Sequence, residues 1–288
     1  QKCKKNKTRT KNRVFYMNKQ QRFEVLKDEI WQNYFFKRNC QKTISLDVPD
    51  IDDCLDGGIK IGKVHLITGS GYSGAVRGFT LAILRKVMHE KPFSYVVWCT
   101  NLNSSYGILY GAGLVAIGID PTRLIFVDES HPLRGIAAME EALSAAGKNG
   151  EAAIEIAAVI GDYAQLSKSP DLWYKTVRRL QLAAEQGNAL ALMTGITTQI
   201  IPAVGFETYW QISTAVTQIS SDQVVSQLDS YLYNSALWHV KLSRTRSGRQ
   251  WTGNLNWQFS TGKLSHSPAV SPQISYQVRA RKFVSHVA

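Results

Sequence analysis

The stretch Gly69-Ser70-Gly71-Tyr72-Ser73-Gly74-Ala75-Val76-Arg77 holds the residues best placed to do chemistry. Gly69 and Gly74 have the spacing of the phosphate-binding pattern G-x-x-x-x-G-K-[ST]. Such a loop surrounds phosphates with backbone N–H groups and a helix N-terminus, while lysine neutralises charge and a hydroxyl holds Mg²⁺. Here Ala75 stands in place of the lysine and Val76 in place of the hydroxyl. The backbone part of the site could persist through Gly69, Gly71 and Gly74, but the side chains that hydrolysis uses are missing. Arg77, two residues past the lysine position, could approach an anion from the side. The competing reading is that the glycines serve only a tight strand-to-helix turn.

Asp162 follows the apolar run IAAVI, where P-loop enzymes carry the acid that holds magnesium through water. An aspartate after a buried strand is also a common cap or turn residue. With Val76 in the loop, a shared magnesium site loses its first ligand. No cofactor, metal or catalytic residue is therefore expected, and ATP with Mg²⁺ is the alternative. The six histidines show no spacing that pairs them with a nucleophile or a metal, and His65 and His239 fall within strand patterns as structural residues. Cys3, Cys40, Cys54 and Cys99 form no C-x-x-C pair.

Two basic stretches could contact a partner. Arg244, Arg246 and Arg249 cluster in the hairpin turn LSRTRSGR, flanked by Trp238, Trp251 and Trp257. Guanidinium forks suit phosphate oxygens, so these arginines are candidates for DNA or partner contact, with the tryptophans in the core. On a helix over 171–186, Trp173, Thr176, Val177, Leu180 and Ala184 make a buried stripe. Lys175, Arg178 and Arg179 lie opposite, and Leu182 shares their face, marking it as partner-facing.

The elements that would position these residues alternate regularly. Short apolar strands at 64–68, 94–99, 124–127, 156–160 and 189–194 are separated by helix patterns at 75–89, 104–117, 133–146 and 171–186. That order predicts an α/β fold with a mostly parallel sheet flanked by helices. Strand patterns at 209–214 and 236–242, and the alternation Leu255, Trp257, Phe259, predict antiparallel hairpin strands at the C-terminal end. Four segments follow: a disordered basic tail over 1–16, a helical segment over 17–43, a core domain over 44–260 and a loose tail over 261–288. The role of the polar, tyrosine-rich stretch 218–234 is left open.

Of the formal net charge of +12, seven charges lie in the tail, from Lys2, Lys4, Lys5, Lys7, Arg9, Lys11 and Arg13 without an acid. The tail lacks the apolar centre of a secretory signal, and Met17 directly follows it, so it also reads as upstream sequence. Scattered thiols fit a reducing, cytoplasmic setting, and no run is long and apolar enough to span a membrane.

Several linked segments resemble one family. ISLDVPDIDDCLDGGIKIGKVHLITG (44–69) resembles the entry into a RecA-like ATPase core. YGAGLVAIGIDPTRLIFVD (110–128), AAMEEAL (137–143), AAVIGD (157–162), VRRLQLAAEQGNALALM (177–193) and WHVKLSRTRSGRQWTGNLNWQF (238–259) resemble the ImuA family. The resemblance covers roughly 44–260 and implies a RecA-like fold with a degraded phosphate loop. It implies an accessory role in SOS-induced, error-prone translesion synthesis, beside a Y-family-like protein, ImuB, and an error-prone α-type polymerase. DNA contact is part of that implication, and interaction with RecA or self-association is left open. The alternatives are a DNA-dependent ATPase with an atypical phosphate loop and a RecA-like cell-division inhibitor.

Overall fold

A computed structural model describes Glu24 and residues 42–69, 74–103, 107–147, 154–163, 170–196, 201–215 and 234–267. The chain divides into two units, Gln1–Lys42 and Thr43–Ala288. Only Glu24 and Lys42 of the first are described, so the architecture below is that of the second. The basic tail 1–16, the helical segment expected over 17–43 (apart from Glu24, Lys42 and Thr43) and residues 268–288 lie outside the described residues. So does nearly all of 218–234.

The second unit begins with a small hairpin, β1 (Thr43–Ile44) and β2 (Ile59–Lys60), around helix α1 (Pro49–Cys54). A nine-stranded sheet follows. Its strands in chain order are β3 (Val64–Gly69), β4 (Tyr95–Thr100), β5 (Leu124–Asp128), β6 (Ile156–Gly161), β7 (Leu190–Ile196), β8 (Thr208–Thr214), β9 (Ser235–Thr245), β10 (Trp251–Gln258) and β11 (Leu264–Ser267). In space they run β11-β10-β9-β8-β3-β7-β6-β4-β5. The strands from β8 to β5 are parallel, and β8 to β11 pair antiparallel.

The alternating pattern arises because helices cover both faces of the parallel half. Every residue of β3 and β6 is buried, as continuous apolar strands between two helical layers require. Helix α2 (Ala75–Glu90) lies on one face, where Val76, Phe79, Ile83 and Val87 pack against Ile67, Val96, Trp210 and Trp238. Helices α4 (Pro132–Ala146) and α5 (Pro170–Gly187) lie on the other, where Met139, Leu143, Val177 and Leu180 pack against Val64, Leu66, Val159 and Ala191. The stripe predicted on α5 is buried at Trp173, Val177, Leu180 and Ala184, while Leu182 stays 42% exposed. The three hairpin tryptophans also pack inward. Trp238 stacks on Trp257 with ring centroids 5.6 Å apart and meets Phe79 edge-on at 5.8 Å, and Trp251 packs partly buried against the same core.

Two local expectations change. The helix expected over 104–117 is, among the described residues, only α3 (Gly111–Ala116), bracketed by Gly107 and Gly118 with left-handed φ of 66° and 76°. Residues 261–267, read as the start of a loose tail, instead turn back and pair with β10 as the edge strand β11. Gly262, with φ 71°, makes the turn, and Leu264 is fully buried opposite Trp257. Its burial extends the apolar row of Leu255 and Trp257, which outweighs the polar character of the segment.

Candidate functional site

Strand β3 delivers the glycine loop to the N-terminus of α2, and the two flanking glycines prove physically different. Added to Gly69, a Cβ would lie 2.6 Å from Val76 Cγ2 and collide with the carbonyl oxygen of Ile212 on β8. Glycine is required there by close packing. At Gly74 a Cβ would meet nothing within 4 Å, and its φ of −66° is open to any residue. Ser70, Gly71, Tyr72 and Ser73, the loop residues between them, lie outside the described residues.

Ala75 and Val76 are each only 4% exposed and belong to the core under the sheet. The two positions that would carry the lysine and the hydroxyl are therefore part of the apolar packing.

Arg77, one residue further, turns toward the strand ends. Its Nη1 donates to the carbonyl oxygen of Gly107 at 2.8 Å, and its Nη2 donates to Asp162 Oδ2 at 3.2 Å. Asp162 follows β6, and its side chain is 13% exposed. Three further donors converge on the same carboxylate. Trp98 Nε1 (3.1 Å) and Thr100 Oγ1 (2.8 Å) on β4 donate to Oδ2, and Thr194 Oγ1 on β7 donates to Oδ1. Three of the four donors share Oδ2 and one takes Oδ1, so the carboxylate is anchored by the protein on both oxygens. The charge also acts on its neighbours. Burial pushes the Cys99 thiol up to about 12 with Asp162 adding to the rise, and Tyr163 is raised by burial and then by nearby negative groups.

Ala75 and Val76 do not supply the side chains with which a phosphate loop holds a magnesium–nucleotide complex. Position 75 offers no cation and position 76 no hydroxyl, and the acid at the end of β6 is engaged by Arg77 and three further protein donors. Among the described residues no cluster of His, Cys, Asp and Glu could hold a metal ion. The donors Trp98, Thr100 and Thr194 were not singled out from the sequence. A signal exists in retrospect, since the apolar runs of β4 and β7 each carry a threonine near their C-terminal ends, beside the end of β6.

Several of the other basic candidates have acidic partners within the protein. Arg249 pairs with Asp56 and donates to the carbonyl of Asp53, which ties the hairpin tip to the segment after α1. Arg246 lies 3.9 Å from Glu207, whose side chain is 4% exposed and pairs with Lys60 at 2.8 Å. Arg244 is exposed and sits opposite Tyr209 on β8. Arg246 and Arg249 thus meet one ion network through Glu207, Lys60 and Asp56, while Arg244 lies beside Tyr209. On α5, Lys175, Arg178 and Arg179 are all exposed, but Arg179 grips Glu140 of α4 with Nη2 at 2.6 Å and Nε at 3.2 Å. His65 is a buried structural residue between Thr208 Oγ1 (2.8 Å) and the Lys60 carbonyl (3.0 Å).

A mostly parallel sheet between helical layers, a glycine loop between its central strand and the next helix, and antiparallel strands at one edge define a RecA-like core, here with an altered phosphate loop. The chain is 24% identical over 238 residues to Protein ImuA from two strains of Caulobacter vibrioides, an alignment that spans 78% of this chain and 86% of those proteins. No family model matches the chain. Among the described residues no helix is long and apolar enough to cross a membrane.

Proposed function

We propose that this protein is a non-hydrolysing RecA-like accessory factor in damage-induced mutagenesis, acting through protein and DNA contacts during error-prone translesion synthesis. The observation that carries the reading is the Arg77–Asp162 pair. It places an internal cation beside the acid that a RecA-type ATPase would use for magnesium, in a site whose lysine and hydroxyl positions are packed with apolar side chains. Such a core retains shape and surface while lacking the groups that stabilise phosphoryl transfer. The likeness to Protein ImuA supports the mutagenesis theme. On that likeness the partners are an ImuB-like Y-family protein and an error-prone α-type polymerase.

The reading is tested in two arms. Purified protein with ATP, Mg²⁺ and single-stranded DNA is expected to release no phosphate above background, and stoichiometric turnover abolished by Gly74→Asp would replace it with the ATPase reading. Affinity capture from DNA-damaged cells, read by mass spectrometry, is expected to recover translesion polymerase components. Recovery of division proteins alone would replace it with the inhibitor reading.

A further inference from the structure

The antiparallel half of the sheet has two unlike faces. One packs Trp238, Val240, Leu242, Leu255, Trp257 and Leu264 into the core beneath α2. On the other face, where α4 and α5 cover the parallel strands, no residue of β9, β10 or β11 joins the core cluster. Side chains alternate along each strand, so this second face carries the polar set. Gln211, Lys241 and Thr252 stand side by side across β8, β9 and β10, and His239 pairs with Asn254 in the next row. Lys241, Arg244 and Thr252 are exposed.

A bulge adds a second cation to this face. Leu242 opposes Trp210, but Arg244 opposes Tyr209, so Ser243 is the extra residue. In unbroken alternation Arg244 would share the buried face of Leu242. The bulge re-aims it to the side of Tyr209, Ser243 and Lys241, and Ser243 Oγ meets Gln211 Oε1 at 2.6 Å on that same side. None of the strands β8 to β11 contains a single aspartate or glutamate. Among the described residues of these strands the face is thus a row of cations and neutral hydrogen-bonding groups without a carboxylate.

We infer that this polar face of β8–β11 is a DNA-backbone-binding surface centred on Lys241 and Arg244. The inference rests on the DNA-contacting reading proposed above, and it moves the contact from the hairpin tip, where Arg249 and Arg246 face Asp56 and Glu207, to the sheet. Charge complementarity selects the occupant. The exposed positions carry no Phe, Tyr or Trp to stack a base, so the contacts fall on phosphates and are indifferent to sequence.

The test is fluorescence anisotropy of the full chain with labelled single-stranded and duplex DNA over about 50 to 200 mM salt. Lys241→Ala/Arg244→Ala is expected to reduce the slope of log K against log salt by about 1.8 for duplex and about 1.4 for single strands. Thr252→Glu, which places a carboxylate beside Lys241 without removing it, is expected to weaken binding several-fold. Arg249→Ala is the control and leaves both affinity and slope unchanged. If the wild type binds DNA and the double variant keeps its affinity and slope, the surface is wrong and the accessory reading stands on other contacts. If the wild type binds no DNA, the DNA part of the proposed function fails together with this surface. A change of oligomeric state in Thr252→Glu with DNA affinity intact would instead make the face a contact between copies. Circular dichroism of each variant confirms the fold.

Discussion

Arg77 Nη2 and Asp162 Oδ2 lie 3.2 Å apart, joining the first turn of α2 to the end of β6. Both side chains are largely buried, at 19% and 13% exposure. Their pairing is therefore a structural element of the core.

Removing either partner leaves a poorly solvated charge behind, so Arg77→Ala is expected to cost about 2 kcal/mol. Asp162→Ala should cost more, because it also orphans the donors Trp98 Nε1, Thr100 Oγ1 and Thr194 Oγ1. A double-mutant cycle by urea unfolding should return a coupling of about 1–2 kcal/mol. Additive single effects would show that the pair contributes nothing to stability.

The two loop glycines should respond differently to the same methyl group. Gly69→Ala drives a Cβ into Val76 and the Ile212 backbone, and is expected to destabilise by about 1–3 kcal/mol. At Gly74, reduced freedom of the unfolded chain offsets the poorer helix-capping of alanine, so Gly74→Ala should stay within about 0.5 kcal/mol of wild type. Thermal melts of the two variants measure the contrast, and equal losses would contradict it.

His65 supplies a pH dependence. Burial holds its imidazole down at about 4, well below the ordinary value near 6.5. The folded state thus resists a proton that the unfolded chain accepts, and stability falls as pH drops from about 6.5 toward 4. The loss from this one group is on the order of 3 kcal/mol, complete below about pH 4. Urea unfolding of wild type and His65→Gln across that range isolates it from the carboxylates. Parallel profiles for the two proteins would remove His65 as the cause.

The alternation of buried runs with helical patterns was enough to predict the parallel sheet, because strands covered on both faces must be continuously apolar and α5 must show a one-sided stripe. Gly69, Ala75 and Val76 were equally legible, since a missing side chain is visible in the sequence itself. What Arg77 does was not. Its partner lies 85 positions away, and only the packing of α2 over β6 and β4 brings the guanidinium to Asp162. Arg249 and Asp56 are 193 positions apart, so the acid that engages the hairpin arginine is one that no local pattern encodes. The bulge at Ser243 is of the same kind, because facing in a strand depends on register with the neighbouring strand. Local spacing determined which residues enter the core and which functional side chains are absent. Tertiary structure decided which charges are paired internally and which face outward, because those outcomes depend on distances between segments remote in the chain.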